Sequence, residues 1–167
     1  NQRTRGHTEG IAIQMVVDAS GSMQIEDFEL NGKATTRLDA VKDVFTRFVK
    51  GDGKLEGRQD DLIGLVTFAN FPDVKCPLTL SYEALTHEIA ALKTAIPSDD
   101  GTNIGDAVAW GLEDLKSAKA KSKVMILLTD GVNEPVLAEG TSQPLDPLEA
   151  ARVAQGLGIK IYTVGAG

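Results

Sequence analysis

The sequence predicts an α/β fold: a doubly wound, mainly parallel sheet flanked by helices, with one short antiparallel edge strand. Two observations support this prediction. Four short apolar runs rich in β-branched residues are typical of strands buried on both faces of a sheet. Between them lie segments whose apolar residues recur at helical spacing, and this alternation is typical of parallel strands joined by right-handed crossovers. A chain of 167 residues has the length of one such domain.

The predicted strands divide the chain into an arm and a domain. Residues 1–9 are polar and are interpreted as an N-terminal arm or linker, which leaves residues 10–167 for the domain. The first strand ends at Asp18. Residues 74–80 carry Pro77, which lacks the N–H that a central strand donates, so they are expected at the sheet edge. The buried strands are predicted at residues 11–17, 61–68, 124–129 and 158–164.

Four helices are predicted from apolar spacing and from residues that favour helix ends. The first spans residues 37–50, the second follows Ser81 and is ended by Pro97, and the fourth follows Asp146 and runs to Gly156. The third begins near residue 104. The apolar faces of the first three are expected to hold Leu38, Val41, Phe45 and Phe48, then Leu85, Ile89, Leu92 and Ile96, then Ile104, Val108, Leu112 and Leu115.

Single residues add local expectations. The pair Asn31 and Gly32 predicts a tight hairpin after the first strand. Gly111 predicts close packing of the third helix against the sheet, and Trp110 beside it is interpreted as a packing residue. His87 lies off the apolar face of its helix, so it is expected to be solvated.

Composition excludes several classes of function. Lys and Arg number 17 against 24 Asp and Glu, and the net charge of −7 argues against nucleic acid as a partner. A single cysteine, Cys76, cannot form an internal disulfide or a zinc site. No run of 18 apolar residues occurs, and no signal peptide precedes the first strand, so any membrane contact is expected through segments outside this chain.

Oxygen-bearing side chains follow the predicted strands at the edge of the sheet where ligands bind in open α/β folds. Neighbouring carboxylates repel each other unless a proton or a cation lies between them, and hydroxyls beside them favour a hard cation such as Mg²⁺. Such a site leaves a coordination position free for a partner's carboxylate. Taken singly, each residue could instead be a turn or capping residue. The candidate ligands are Asp18, Ser20, Ser22, Thr102 and Asp130; Asp99, Asp100, Asp106 and Glu134 are candidates for supporting roles.

These residues resemble the metal-ion-dependent adhesion site of the von Willebrand factor A domain. That family carries a D-x-S-x-S loop, a later Thr and a later Asp, and all five positions match here. The resemblance implies that Ser20 and Ser22 coordinate the metal through their hydroxyls and that Thr102 does so directly or through water. It implies that the two aspartates act mostly through water. The implied metal is Mg²⁺, with Mn²⁺ or Ca²⁺ as alternatives.

Within that family, four segments are similar to bacterial membrane-anchored proteins of aerotolerance operons. The resemblance implies anchorage in the inner membrane with the domain outside the cytoplasm, and it implies other proteins with such domains and an AAA+ ATPase as partners. Domains of this family continue past this point with another helix and strand, so these are expected either after residue 167 or from an edge supplied elsewhere. The segments are RLDAVK at 37–42, DDLIGLVTF at 60–68, PLTL at 77–80 and DPLEAA at 146–151.

Three functions remain open on the sequence. The first is a non-catalytic, metal-dependent protein-binding module that binds an acidic side chain and has no catalytic residues. The second is a Mg²⁺-dependent phosphoryl-transfer enzyme with Asp18 as nucleophile, although the second Asp that haloacid dehalogenase enzymes need is replaced by Ser20. The third is a structural assembly domain that does not depend on metal.

Overall fold

The computed structural model describes residues 10–52, 57–58, 60–131, 133–137 and 143–165. The predicted arm at residues 1–9 lies outside this part of the chain. The strands are β1 (Ile11–Asp18), β2 (Phe28–Leu30), β3 (Lys33–Thr35), β4 (Leu62–Phe68), β5 (Pro72–Thr79), β6 (Ser122–Thr129) and β7 (Lys160–Gly165). The helices are α1 (Arg37–Lys50), α2 (Tyr82–Ala90), α3 (Ile104–Lys116) and α4 (Pro147–Gly156).

Five strands form the main sheet in the order β5-β4-β1-β6-β7. β1 pairs in parallel with both β4 and β6, β6 pairs in parallel with β7, and only β5 runs antiparallel to its neighbour. This arrangement confirms the predicted fold class. Because β1 is central, its carboxyl end opens at the middle of the rim where the parallel strands finish, called here the carboxyl rim.

Helices cover both faces of this sheet. Alternate residues of β1 point to opposite faces, so Met15 packs with α1 and α2 while Val16 packs with α3 and α4. The side chains of Thr36, Ser81, Asn103 and Asp146 accept a hydrogen bond from the first turn of the helix that follows each of them. The predicted helix starts after Ser81 and Asp146 are therefore confirmed.

The hairpin and the edge strand form as predicted from the sequence, except that the edge strand begins two residues earlier. Asn31 and Gly32 both have positive φ, 53° and 79°, and they join β2 to β3 in antiparallel register. This is the geometry that makes an Asn-Gly pair favourable in a two-residue turn. β5 begins at Pro72 rather than Val74, because Pro72 already pairs with Phe68 of β4.

Two predicted apolar contacts are wrong. α2 ends at Ala90, after which the chain turns so that Ala95 N–H donates to the carbonyl of Ala19 at 2.7 Å, and this leaves Ile96 62% exposed. In α1, Phe48 is partly buried and packs against the core, as predicted, and its neighbour Val49 is fully buried.

The second wrong contact is Trp110, which is 52% exposed. A Cβ placed on Gly111 would lie 2.7 Å from Met125 Cε, so the side of α3 at Gly111 faces the sheet. The residue before it projects about 100° away around the helix, towards solvent. His87 is exposed, as predicted. None of the helices within the described ranges has the length and apolarity needed to cross a membrane.

Candidate metal centre at the carboxyl rim

Asp18 is the last residue of β1 and lies beneath the loops of the carboxyl rim with 0% exposure. Its Oδ1 accepts a hydrogen bond from Ser20 N–H at 2.8 Å, and its Oδ2 accepts one from the Thr129 hydroxyl at 2.9 Å. Thr129 ends the neighbouring strand β6. These two bonds fix the carboxylate between the ends of two parallel strands.

Ser20 and Ser22 stand beside this carboxylate on a tight turn. Their hydroxyl oxygens are 3.0 Å apart; Ser20 is 3% exposed, whereas Ser22 is exposed. Gly21 N–H donates to Asp100 Oδ1 at 2.9 Å, and a Cβ on Gly21 would lie 2.7 Å from Asp100 Oδ2. A larger residue at position 21 would therefore displace the Asp100 carboxylate from this contact.

Asp130 directly follows β6, and its side chain is only 3% exposed. Its Oδ2 accepts a hydrogen bond from Arg37 Nη1 at 3.1 Å. Arg37 also binds Asp27 through Nη2 at 2.7 Å, so one guanidinium bridges two carboxylates. These bonds raise the pKa of Arg37 and lower the pKa of Asp27, in each case because the charged form is hydrogen-bonded to an opposite charge.

The pKa of Asp18 is raised above its ordinary value, chiefly because burial removes water from the charged form. Hydrogen bonds from Ser20 and Thr129 oppose this effect, and the negative charge of Asp130 adds to it. Two buried carboxylates thus lie close enough to repel each other. This is an environment that favours a cation.

Thr102 reaches the carboxyl rim on a third loop and is 8% exposed. It exchanges two main-chain hydrogen bonds with Glu134, of 2.9 and 2.7 Å. Asp100, two residues earlier, holds Gly21, so the loop of Thr102 is bonded both to the loop after β1 and to the loop after β6. The structure therefore places all three sequence-predicted segments on one rim.

The secondary acidic candidates have distinct positions. The Asp100 side chain binds Gly21 and so connects its loop to the loop after β1. Glu134 connects the loop after β6 to Thr102 through main-chain hydrogen bonds. Asp106 binds Leu145 N–H at 2.8 Å and the Asn103 side chain at 2.8 Å, which makes it a support for α3. Within the described residues, no three His, Cys, Asp or Glu side chains are grouped to hold a metal, so a site here depends on hydroxyl ligands.

The sequence model of the von Willebrand factor type A domain matches residues 13–167. The chain belongs to this family. Domains of this family, called VWA domains below, generally act as protein-interaction modules.

Several proteins are similar to this VWA domain. An uncharacterized protein of Borreliella burgdorferi is 28% identical over 158 residues, which cover 95% of this chain but 41% of that protein. The chain thus spans less than half the length of this relative. An uncharacterized membrane-spanning protein from Vibrio fischeri is 32% identical, with a TM-score of 0.59 over 94% of this chain and 71% of that one.

Two solved structures share the fold at lower identity. BatB from Bacteroides thetaiotaomicron is 24% identical, with a TM-score of 0.72 over 93% of this chain and 66% of that one. An aerotolerance-related membrane protein from Bacteroides fragilis is 22% identical, with a TM-score of 0.71 over 93% of this chain and 67% of that one. Both likenesses show the fold of the VWA domain.

Three residues at the rim of this VWA domain were not found from the sequence. Arg37 binds Asp130, 93 positions later in the chain, and Thr129 binds Asp18, 111 positions earlier. Asn70 is 6% exposed and uses its side-chain amide to bind both the N–H and the carbonyl of Val136, at 2.7 and 2.9 Å. Its place two residues after a buried strand is the only local signal for Asn70.

Proposed function

We propose that this VWA domain is a non-catalytic module that holds a divalent cation at its carboxyl rim and binds an acidic side chain of a protein partner through it. The cation is Mg²⁺, with Mn²⁺ or Ca²⁺ as alternatives. The partner's carboxylate takes the coordination position that the protein leaves free, in a partly desolvated place where such a bond is strong. The proposed ligands, direct or through water, are Asp18, Ser20, Ser22, Thr102 and Asp130.

The observation that carries this proposal is the charge imbalance at the carboxyl rim. Arg37 supplies one positive charge to Asp130, but it shares that charge with Asp27. Asp18 is fully buried, and the protein partners in its hydrogen bonds are neutral. Burying two carboxylates is costly unless positive charge lies close to both of them. A divalent cation beside Asp18 would supply that charge.

The hydroxyl spacing is compatible with a bound Mg²⁺ ion. Adjacent ligands of an octahedral Mg²⁺ ion with bonds of 2.0–2.1 Å lie about 2.9 Å apart. The hydroxyl oxygens of Ser20 and Ser22 are 3.0 Å apart. The same spacing suits a hydrogen bond between them, so the turn can form before the cation binds.

The same geometry argues against the phosphoryl-transfer alternative. A nucleophilic Asp must be reached by a phosphoryl donor, which is far larger than a cation or a water molecule, and Asp18 is 0% exposed. Incubation with acetyl phosphate and Mg²⁺ is therefore expected to leave the chain unmodified in a mass spectrum. A stoichiometric acyl-phosphate on Asp18 would reinstate the enzyme.

The proposed setting is the outer side of a bacterial inner membrane. Support comes from the relatives described as a membrane protein and a membrane-spanning protein. The anchor would lie in segments outside this chain, and other VWA-domain proteins together with an AAA+ ATPase system are the proposed partners. The net charge of −7 continues to argue against nucleic acid.

Calorimetric titration with Mg²⁺ tests the metal site. The unmodified chain is expected to show one site, which Asp18→Ala and Ser20→Ala remove. Ser98→Ala is the matched control, because Ser98 is an exposed serine near the carboxyl rim whose hydroxyl contacts only Asp99 within the described residues. Equal heats of binding in all four proteins would refute the metal site.

Chelation tests the link between metal and partner. A native complex purified from its source is expected to dissociate in EDTA and to re-form on addition of Mg²⁺. A complex that persists in EDTA would favour the structural assembly alternative instead.

A further inference from the structure

Three large apolar side chains stand exposed beside the proposed metal site. Phe71 is 56% exposed, Ile96 62% and Val136 59%. They lie on three different loops, and we call them the apolar rim cluster. Apolar groups that gather at the surface without burial are typical of binding sites.

The apolar rim cluster is held in place by Asn70. Its main-chain N–H donates to the carbonyl of Asp99 at 3.1 Å, and Asp99 N–H in turn donates to the carbonyl of Ile96 at 2.9 Å. Its side chain binds both main-chain groups of Val136, and Phe71 is its neighbour in the chain. Through its main chain and its side chain, Asn70 thus links three loops that each present an apolar group to solvent, which is the preorganisation that a docking surface needs.

Two residues of the apolar rim cluster line a cleft of about 490 Å³ that reaches the loop carrying the first proposed metal ligands. Phe71 and Ile96 line this cleft together with Ala19, the residue between Asp18 and Ser20. The carbonyl of Ala19 also accepts the hydrogen bond from Ala95 N–H that positions Ile96. A bound carboxylate at the metal and an apolar side chain in the cleft can therefore belong to one short segment of a partner.

Charge in the cleft is balanced, so the apolar side chains distinguish it more than charge does. Two lysines and two aspartates line it: Lys75, Lys93, Asp73 and Asp99. Lys75 and Asp73 form an ion pair at 2.7 Å, whereas Lys93 and Asp99 form none with the described residues.

We propose that the apolar rim cluster is the specificity surface of the metal site. Its occupant is a protein segment in which the metal-binding Asp or Glu lies within a few residues of a large apolar side chain that fills the cleft between Phe71 and Ile96. This inference rests on the proposed metal-dependent function and adds the sequence character of the partner to it.

Selection from a displayed library of random peptides tests the proposal. The immobilised domain is incubated with the library in millimolar Mg²⁺, bound peptides are released with EDTA, and the released pool is compared with the input pool. The same selection is run on Phe71→Ser, Ile96→Ser and Ser20→Ala. Val44→Ser is the matched control, because Val44 is 56% exposed on α1 and does not line the cleft.

Peptides selected by the unmodified domain and by Val44→Ser are expected to combine an acid with a nearby large apolar residue. Phe71→Ser and Ile96→Ser are expected to select the acid without the apolar residue. They should bind a peptide chosen on the unmodified domain about 10-fold more weakly, because a large apolar side chain loses part of its burial. Ser20→Ala is expected to select nothing that EDTA releases.

Other outcomes would overturn the specificity surface, the metal site or both. Acidic peptides with no apolar enrichment, or with the same enrichment in Phe71→Ser and Ile96→Ser, would overturn the specificity surface and leave the metal site standing. Apolar peptides that bind equally well in EDTA would overturn the joint occupant proposed here. A pool with no EDTA-released peptides would overturn both proposals.

Discussion

The helical faces of the sheet bury apolar side chains, whereas the carboxyl rim of the same sheet buries carboxylates and exposes apolar side chains. Met15 and Val16 in the middle of β1 are both fully buried between sheet and helices. Asp18, two residues further on, is equally buried but carries a group whose charged form burial disfavours. Over the same rim, Ile96 is 62% exposed.

This difference assigns the stability of the domain to the apolar layers and its proposed function to the carboxyl rim. Apolar layers lower the free energy of the folded chain without any ligand. Buried carboxylates raise the free energy of the folded chain unless a cation is present. The rim is therefore the part of the molecule that a bound cation stabilises most. Substitutions in the apolar layers should therefore change stability most, and substitutions at the rim should change its dependence on Mg²⁺ and pH.

Phe45→Ala should affect the apolar layer alone. Phe45 is 3% exposed under α1, so its removal is expected to lower the free energy of unfolding by about 3–5 kcal/mol in urea titrations. Val44→Ala, on the exposed side of the same helix, should change it by less than about 0.5 kcal/mol. Folded Phe45→Ala should still bind one Mg²⁺ ion. Loss of that site in a folded variant would show that the two regions are not separable.

Arg37→Ala should weaken the rim. It leaves the nearly buried Asp130 without its ion pair, and the expected loss in chelator is on the order of 2–3 kcal/mol. Arg47→Ala removes an exposed pair with Asp43 and should cost less than about 1 kcal/mol.

Added Mg²⁺ should recover part of the loss in Arg37→Ala, because the cation supplies positive charge near Asp130. Thermal melts with and without Mg²⁺ measure this recovery. An equal loss under both conditions would contradict a cation site beside Asp130.

The pH dependence of the metal-free domain should reveal Asp18. Because its pKa is raised in the folded chain, the folded state binds more protons than the unfolded state through the titration. Its contribution to stability is therefore fully present below the ordinary pKa of 3.8 and is lost as pH rises through the higher folded value. Asp18→Asn should remove this dependence and should be more stable than the unmodified chain at neutral pH in chelator.

Urea titrations of both proteins across this range give the difference curve that isolates Asp18 from other groups. A difference that stays flat with pH, or that rises in favour of the unmodified chain, would contradict a destabilising carboxylate.

Ile96→Ser should have the smallest effect on stability. Because Ile96 is mostly exposed, the change in the free energy of unfolding is expected to stay within about 0.5 kcal/mol. Leu92, four residues earlier in the same segment, is 4% exposed, and Leu92→Ser should cost several times as much. Similar losses for both would mean that Ile96 is part of the core and not of a docking surface.

The apolar layers were predictable because their signal is local. The spacing of Leu38, Val41 and Phe45 indicates a helix, and the structure buries all three. The prediction failed for Ile96, where a tertiary contact outweighs helical spacing. Ile96 has the spacing of the apolar face of α2, but the helix ends at Ala90 and the Ala95 N–H binds the carbonyl of Ala19 instead. Trp110 was wrongly placed because its neighbour Gly111 takes the side facing the sheet.

The carboxyl rim was predictable only in part. Asp18, Ser20 and Ser22 lie within five residues, so their pattern is visible in the sequence and the structure brings them together. The contacts that support them join distant residues. Arg37 and Asp130 are 93 positions apart and Asn70 and Val136 are 66 apart, and no spacing rule connects such pairs.

The proposed metal site requires that the two serine hydroxyls and the buried acids share one cation. Anomalous diffraction from crystals grown with Mn²⁺ tests it most directly, because the metal is located without reference to activity. The account predicts one strong peak within bonding distance of the hydroxyl oxygens of both Ser20 and Ser22. A peak elsewhere, or crystals with an ordered rim and no peak beside these hydroxyls, would contradict it.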